Sequence, residues 1–285
     1  MWRERWTKWL AWCGLVLMAG VSSGKETPAG ARLYLVGIGP GDPELMTFKA
    51  AKLLKSADRV YCFQYLRQDV ARWARPAAIC VASPLLMAKF IDDHGRRLPP
   101  ELQGQAAQSQ VEVARFVPEV RTLLAAGKTV VLADAGDPTV YCPWSWVCRT
   151  LADVSPVVVP GLGAFNAGNA ALQGGVTPCP GAVMITCGAT LAPTDSDGRL
   201  RTTVVLFTHR LKFAEAIAKL SARYPADTPV AVVADASLPT EAVRRGTLAT
   251  IAAVGESVGS SRYLIYVGDK LPSPTATAPD GTGHD

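Results

Sequence analysis

Two short stretches carry residues suited to holding a ligand against the main chain. Val36 to Leu45 reads VGIGPGDPEL, and the Gly-Asp-Pro within it recurs as Gly136-Asp137-Pro138; each follows an apolar run. Glycine permits φ > 0 and lets a ligand approach the backbone. Asp suits an N-cap and Pro the first helical position, so each stretch reads as strand, tight turn and helix start. In open α/β sheets, ligands bind at that end of the strands. The chemistry is not a phosphate cradle. Gly37, Gly39 and Gly41 miss the GxGxxG spacing, and no Lys-Ser/Thr follows to mark a triphosphate loop. The capping Asp also occupies the helix N-terminus that a phosphate would use. A neutral or zwitterionic ligand held by backbone groups suits the loops better; the alternative is two turns that only start helices.

The elements that position these loops alternate in kind. Strand-like runs fall at 33–39, 59–63, 77–83, 129–136, 156–161, 181–187, 202–208, 229–235 and 262–268. Helical spacing is present over Glu44–Ala57, Ser109–Ala126 and Leu211–Arg223, with Pro118 set to kink the second. Residues 84–108 read as a loop-rich excursion and 191–199 as a polar loop. GAFNAGNAALQGG, after VVPG, reads as a helix whose small residues allow close packing against backbone or ligand. This alternation predicts two α/β domains, 31–155 and 156–271, joined near 153–157. Residues 272–285 are a polar tail with the composition of a disordered segment.

With 49% apolar and 19% charged residues over 285 positions, the chain is globular and long enough for sizeable cores. A net charge of +5 with no basic stripe argues against nucleic acid as a partner. Seven cysteines without a CxxC and only three histidines argue against a metal site. Buried free thiols are expected, although an oxidising compartment would permit disulfides.

Residues 1–24 stand apart. Arg3, Arg5 and Lys8 precede an uncharged run, 9–24, with small Ser22 and Gly24 near its end. That run falls short of the roughly 20 residues of a spanning helix. It reads as a cleaved signal peptide that exports the chain to the periplasm, or as an uncleaved anchor that attaches it to the membrane. A mis-assigned start codon would instead leave the protein cytoplasmic.

Taken together, GxGPGDPELMT, Ala57-Asp58, AGDPTVY, VVPGLGAF and ASLPTEAVRRGTL resemble the tetrapyrrole methylase family. The resemblance spans about Leu33 to Leu271, and the pattern at 235–248 is most similar to precorrin-4 C11-methyltransferases. It implies a two-domain α/β homodimer with S-adenosyl-L-methionine in the cleft between domains and a tetrapyrrole as substrate, in corrinoid biosynthesis. By matching position, Pro40, Ala135, Gly136, Asp137, Val140, Gly163, Ala164 and Thr208 would line the donor pocket. Gly246 and Thr247 would touch the adenine side.

Methyl transfer needs a nucleophilic carbon placed in line with the sulfonium more than it needs a strong base, so no catalytic residue is assigned. The substrate's carboxylates call for arginines; Arg67, Arg96, Arg97 and Arg210 are the candidates, with solvated surface charge as the alternative for each. Two departures matter. Phe63 and Pro143 stand where the uroporphyrinogen branch has Asp and Arg, which argues against that substrate. Tyr141, Trp144 and Trp146 form an aromatic group that either stacks on a flat macrocycle or belongs to the core. Because the donor is cytosolic, the leader also leaves open a non-enzymatic, exported or membrane-associated tetrapyrrole-binding protein.

Overall fold

The computed structural model describes residues 32–88, 100–177, 179–187, 202–208, 211–255 and 262–271, with 194 and 200. The leader, the tail, Arg96, Arg97, Arg210 and nearly all of 191–199 lie outside them.

The first half builds a fully parallel five-stranded sheet. It contains β1 (Leu33–Gly37), β2 (Arg59–Cys62), β3 (Ile79–Val81), β4 (Val130–Asp134) and β5 (Val157–Val159), in the order β3-β2-β4-β1-β5. Parallel strands covered on both faces need continuous apolar runs, and VVLAD in β4 is buried at every position. Successive side chains serve opposite cores. Leu35, Leu132, Tyr61 and Phe63 join one; Val36, Val131, Val60 and Cys62 join the other. Helices α1 (Phe48–Ser56) and α2 (Arg67–Ala71) cover the second core, through Ala50, Leu54 and Val70. Helices α3 (Pro100–Ala125) and α4 (Ser145–Thr150) cover the first, through Phe116, Val120, Trp146 and Val147.

Three local expectations change. The helix predicted from Glu44 starts at Phe48, where the Thr47 hydroxyl accepts from the Ala50 amide at 3.2 Å. Asp42 instead caps a short 3₁₀ turn, accepting from the Glu44 amide at 2.8 Å. No helix begins at Pro138; α4 starts at Ser145, and Asp137 holds a turn instead. Helix α3 extends back to Pro100, so 100–108 is helical and not loop. Pro118 lies inside α3 on its exposed side, where a carbonyl without an N–H partner faces water.

The second half forms a mixed sheet. Its strands are β6 (Ala182–Cys187), β7 (Thr202–Phe207), β8 (Pro229–Ala234), β9 (Ala242–Thr247) and β10 (Tyr263–Val267), in the order β6-β7-β10-β8-β9. Only β6 and β7 are parallel. Helix α5 (Ala164–Ala171) packs on one face, and α6 (Phe213–Ser221) and α7 (Ile251–Gly255) on the other. The small residues of α5 serve the sheet and not a ligand: a Cβ at Gly168 would overlap the Tyr266 hydroxyl. β9 was not among the expected strands, because AVRRGT carries no apolar alternation. β5 pairs with β1 and so belongs to the first sheet, although it falls after the predicted join near 153–157. By sheet membership, the passage between halves follows Val159.

The six cysteines among the described residues are free thiols. No helix among those residues is long and apolar enough to cross a membrane.

Candidate functional site

Three loops meet at the carboxyl ends of β1, β4 and β5. The Gly136 amide donates to the Gly39 carbonyl at 2.8 Å, and the Ile38 amide to the Asp134 carbonyl at 2.9 Å. Gly39 and Gly136 adopt φ of 89° and 66°, conformations open to glycine at little cost. The approach is closest at Gly37 and Gly161, where an added Cβ would overlap the Gly136 carbonyl oxygen in both cases. Gly163 lies behind Gly136, and a Cβ on it would sit 3.7 Å from the Asp137 Cβ. Its amide donates to Asn166 Oδ1 at 3.0 Å at the start of α5. Asp137 Oδ1 accepts from both the amide and the hydroxyl of Thr139, each at 2.9 Å, which fixes the second Gly-Asp-Pro as a turn.

The second half closes on these loops. The Asp42 amide faces the Ser237 hydroxyl at 3.5 Å, and Gly41 packs on Leu238. The Tyr141 ring meets Phe207 at 5.2 Å, and its hydroxyl reaches the Ile185 carbonyl at 3.4 Å. Tyr141 takes φ of 56°, an uncommon backbone for a residue with a large side chain. Thr208, at the end of β7, is tied to the Tyr263 carbonyl at 2.8 Å. Pro40, Ala135, Gly136, Asp137, Val140, Gly163, Ala164 and Thr208 thus all sit at the loop ends that meet across the two sheets.

Gly246 and Thr247 do not join them. β9 runs antiparallel to β8, with Ala242 opposite Ala234 and Thr247 opposite Pro229. β10 pairs Tyr263 with Ala234 and Val267 with Val230. The Thr208–Tyr263–Ala234–Ala242 end is therefore the one near the loops, and Gly246–Thr247 lie at the other end of the sheet. The expectation that they contact the adenine side is corrected accordingly. At the end near the loops stands the 235–238 turn, where Asp235 and Ser237 adopt φ of 47° and 73°. Its signal in the sequence was the Asp-Ala-Ser that ends the β8 run.

A cavity of ≈ 130 Å³ adjoins the first loop, lined in part by Gly39, Pro40, Pro43, Tyr65, Trp73 and Ala135. Behind it stands an aromatic column. Phe63 stacks on Tyr65 at 5.9 Å and on Trp144 at 4.6 Å, and Phe116 contacts both Trp144 and Trp146 at 5.8 Å. Trp144 and Trp146 are core residues, 0% and 4% exposed, whereas Tyr141 is 43% exposed. Of the three aromatics read either as a macrocycle stack or as core, Trp144 and Trp146 are core and Tyr141 is exposed on the loop that meets Phe207. Desolvation, then the Asp134 carboxylate, holds the Tyr65 phenol above its ordinary pKa. Desolvation does the same at Tyr141. Both are therefore protonated donors near neutral pH and not bases. Among the described residues, no group of His, Cys, Asp and Glu side chains is placed to hold a metal ion.

Comparison with known proteins agrees with this arrangement. Residues 32–252 match the family model for tetrapyrrole (corrin/porphyrin) methylases. The chain is 31% identical over 255 residues to a precorrin-4 C(11)-methyltransferase of Mycobacterium tuberculosis, across 84% of this chain and 91% of that one. Its fold matches a solved cobalt precorrin-4 methyltransferase of cobalamin biosynthesis with a TM-score of 0.63 at 24% identity, over 87% of this chain and all of the other. It also matches a uroporphyrin-III C-methyltransferase from Thermus thermophilus solved with S-adenosylhomocysteine, with a TM-score of 0.57 at 25% identity, over 84% and 98% of the two chains.

Proposed function

The chain belongs to the tetrapyrrole (corrin/porphyrin) methylases, and from that premise we propose that it methylates a ring carbon of a tetrapyrrole in corrinoid biosynthesis, with S-adenosyl-L-methionine as donor. The observation that carries this reading is the convergence of the β1, β4 and β5 loops on one another, with the first of them set against the 235–238 turn. Glycine carbonyls and amides, with no side-chain bulk, form one wall of the cleft, Thr208 stands at the end of β7 in the second sheet, and Tyr141 reaches from the second loop across to Phe207. Such a wall suits a folded zwitterion better than a phosphate.

When bound, S-adenosylmethionine supplies a methyl group already activated by its sulfonium. The protein's task is then to bind, orient and exclude water. Pro40 and Ala135 border both the glycine loops and the adjoining cavity, so they stand between donor and acceptor spaces. The precorrin-4-like assignment is supported by the 31% identity to a C(11)-methyltransferase and by Phe63. Buried at 1% exposure in the aromatic column, Phe63 offers no charge where the uroporphyrinogen branch has Asp.

Calorimetry on the full chain should find S-adenosylhomocysteine bound with micromolar-scale affinity; no detectable heat rejects the reading. Asp137→Ala removes the acceptor for the Thr139 amide and hydroxyl. It should cost roughly 1 kcal/mol of stability and weaken that binding, whereas unchanged affinity would show that this turn does not shape the donor pocket.

The family likeness also argues for a homodimer. Light scattering checks it, and a mass near the 30.2 kDa of one chain rejects it. Cell fractionation with mass determination of the N-terminus decides whether residues 1–24 act as a signal peptide, an anchor or neither.

A further inference from the structure

Helix α1 turns Ala50 and Leu54 into the core of the first half. Its opposite face carries Phe48, Lys52 and Lys55 at i, i+4 and i+7, which puts them on one stripe, with Lys49 beside it. All four are exposed. Phe48 is the most exposed large apolar side chain among the described residues, at 89%. The helix start does not need it, because Thr47 supplies the cap. Lys49 and Lys52 make no ion pair among the described residues, and Lys55 meets the Trp73 ring at 5.0 Å and no carboxylate. The patch continues at the end of α1. Arg75 Nη2 donates there to the Ala57 carbonyl at 2.9 Å, and Lys128 pairs with Asp58 at 3.3 Å. Lys49, Lys52, Lys55, Arg75 and Lys128 stand against Glu44 and Asp58. Beside them, Arg67 and Arg72 of the α2 segment stand against Asp69. The face is cationic with an apolar tip.

Lysines alone are ordinary solubilising charge. Two further observations select a lipid surface. A bare Phe side chain escapes water only by entering an apolar phase, and an aromatic set among lysines is the composition of an interfacial contact. The second observation is where the chain enters the fold. The Arg32 carbonyl accepts from the Val130 amide at 2.8 Å, and the neighbouring Thr129 carbonyl accepts from the Asp58 amide at 2.9 Å. Arg32 therefore lies two strand spacings, roughly 10 Å, from the end of α1. Residues 25–31 join it to the uncharged run 9–24, and fully extended they reach at most about 25 Å. Wherever that run partitions into lipid, the α1 face is tethered within the same reach of the headgroups. We propose that the outward face of α1 docks on an anionic bilayer, with Phe48 entering the headgroup region and Lys49, Lys52 and Lys55 meeting lipid phosphates. Duplex nucleic acid offers the phosphates but no apolar phase for Phe48.

The full chain is sedimented with vesicles of phosphatidylcholine alone and of phosphatidylcholine mixed with phosphatidylglycerol. The parent should prefer the mixed vesicles, and added salt should erase that preference. Lys49→Gln, Lys52→Gln and Lys55→Gln together should weaken binding to mixed vesicles by at least about tenfold and leave binding to neutral ones as it was. Phe48→Ala should weaken both several-fold. Lys212→Gln, Lys219→Gln and Arg223→Gln, exposed on and beside α6 in the second half, remove equal charge from another surface and should change neither. Every variant should melt like the parent, since each altered side chain is exposed. A parent indifferent to lipid charge overturns the proposal. So does an α1 triple variant that binds mixed vesicles like the parent, or an α6 triple variant that loses as much, which would make net charge and not this face responsible. Release from the vesicles by duplex DNA would give the face to nucleic acid, and a Phe48→Ala mass shift in light scattering would give it to a second copy; either result overturns the proposal.

Discussion

Gly161→Ala should be among the most damaging single-methyl changes at the described positions. The new Cβ would overlap the Gly136 carbonyl oxygen and lie 3.0 Å from the carbonyl carbon and oxygen of Gly37. All of these atoms are backbone, so no side chain can rotate away. Relief requires the β1, β4 and β5 loops to separate, which breaks the contact between Gly39 and Gly136. Overpacking of this kind costs about 3 kcal/mol, a fall in melting temperature of roughly 6–12 °C, and S-adenosylhomocysteine binding should fall with it. Gly104→Ala is the matched control. Gly104 lies in α3 with nothing within 4 Å of an added Cβ, so alanine there should stabilise by about 0.5–1 kcal/mol. A Gly161→Ala protein that melts and binds like the parent would show that the three loops are not packed as described.

Trp144→Ala should destabilise by about 3–5 kcal/mol. The side chain is fully buried, stacks on Phe63 at 4.6 Å and donates from Nε1 to the Ala133 carbonyl at 3.2 Å. Removing it leaves a void between α3 and the first sheet and takes away the support behind Phe63. Phe63 in turn backs Tyr65 at the cavity wall. The effect should therefore appear in the denaturant midpoint. Trp144→Phe keeps most of the stack and loses the hydrogen bond, so it should cost much less. If Trp144→Ala unfolds at the parent's midpoint, the residue is not core.

The loops and the wall behind them were legible to different degrees. Short-range rules sufficed where a residue's own backbone chemistry decides: the buried runs of β1, β4 and β7, the Asp42 cap, and the glycines that admit close approach. They failed where a neighbour decides. AVRRGT became β9 because β8 offered an unpaired edge, with Ala242–Thr247 lying along Ala234–Pro229. Residues 100–108 became helix as the continuation of α3. VVV at 157–159 joined the first sheet because β1 had a free side.

By itself the sequence determined the α/β class, the succession of strands, the two Gly-Asp-Pro turns and, through the order of its motifs, the family. Each of these depends on local backbone preference and on apolar spacing, which act within a few residues. Only the tertiary structure decided which end of β9 faces the cleft, that Trp144 and Trp146 are core while Tyr141 is exposed, and that Arg72 and Arg262 share a cavity with Pro40. Those outcomes depend on strand direction and on contacts between residues far apart in the chain. The antiparallel pairing that sends Gly246 and Thr247 away from the loops is invisible in the string RRGTL, because direction is a property of the partner strand.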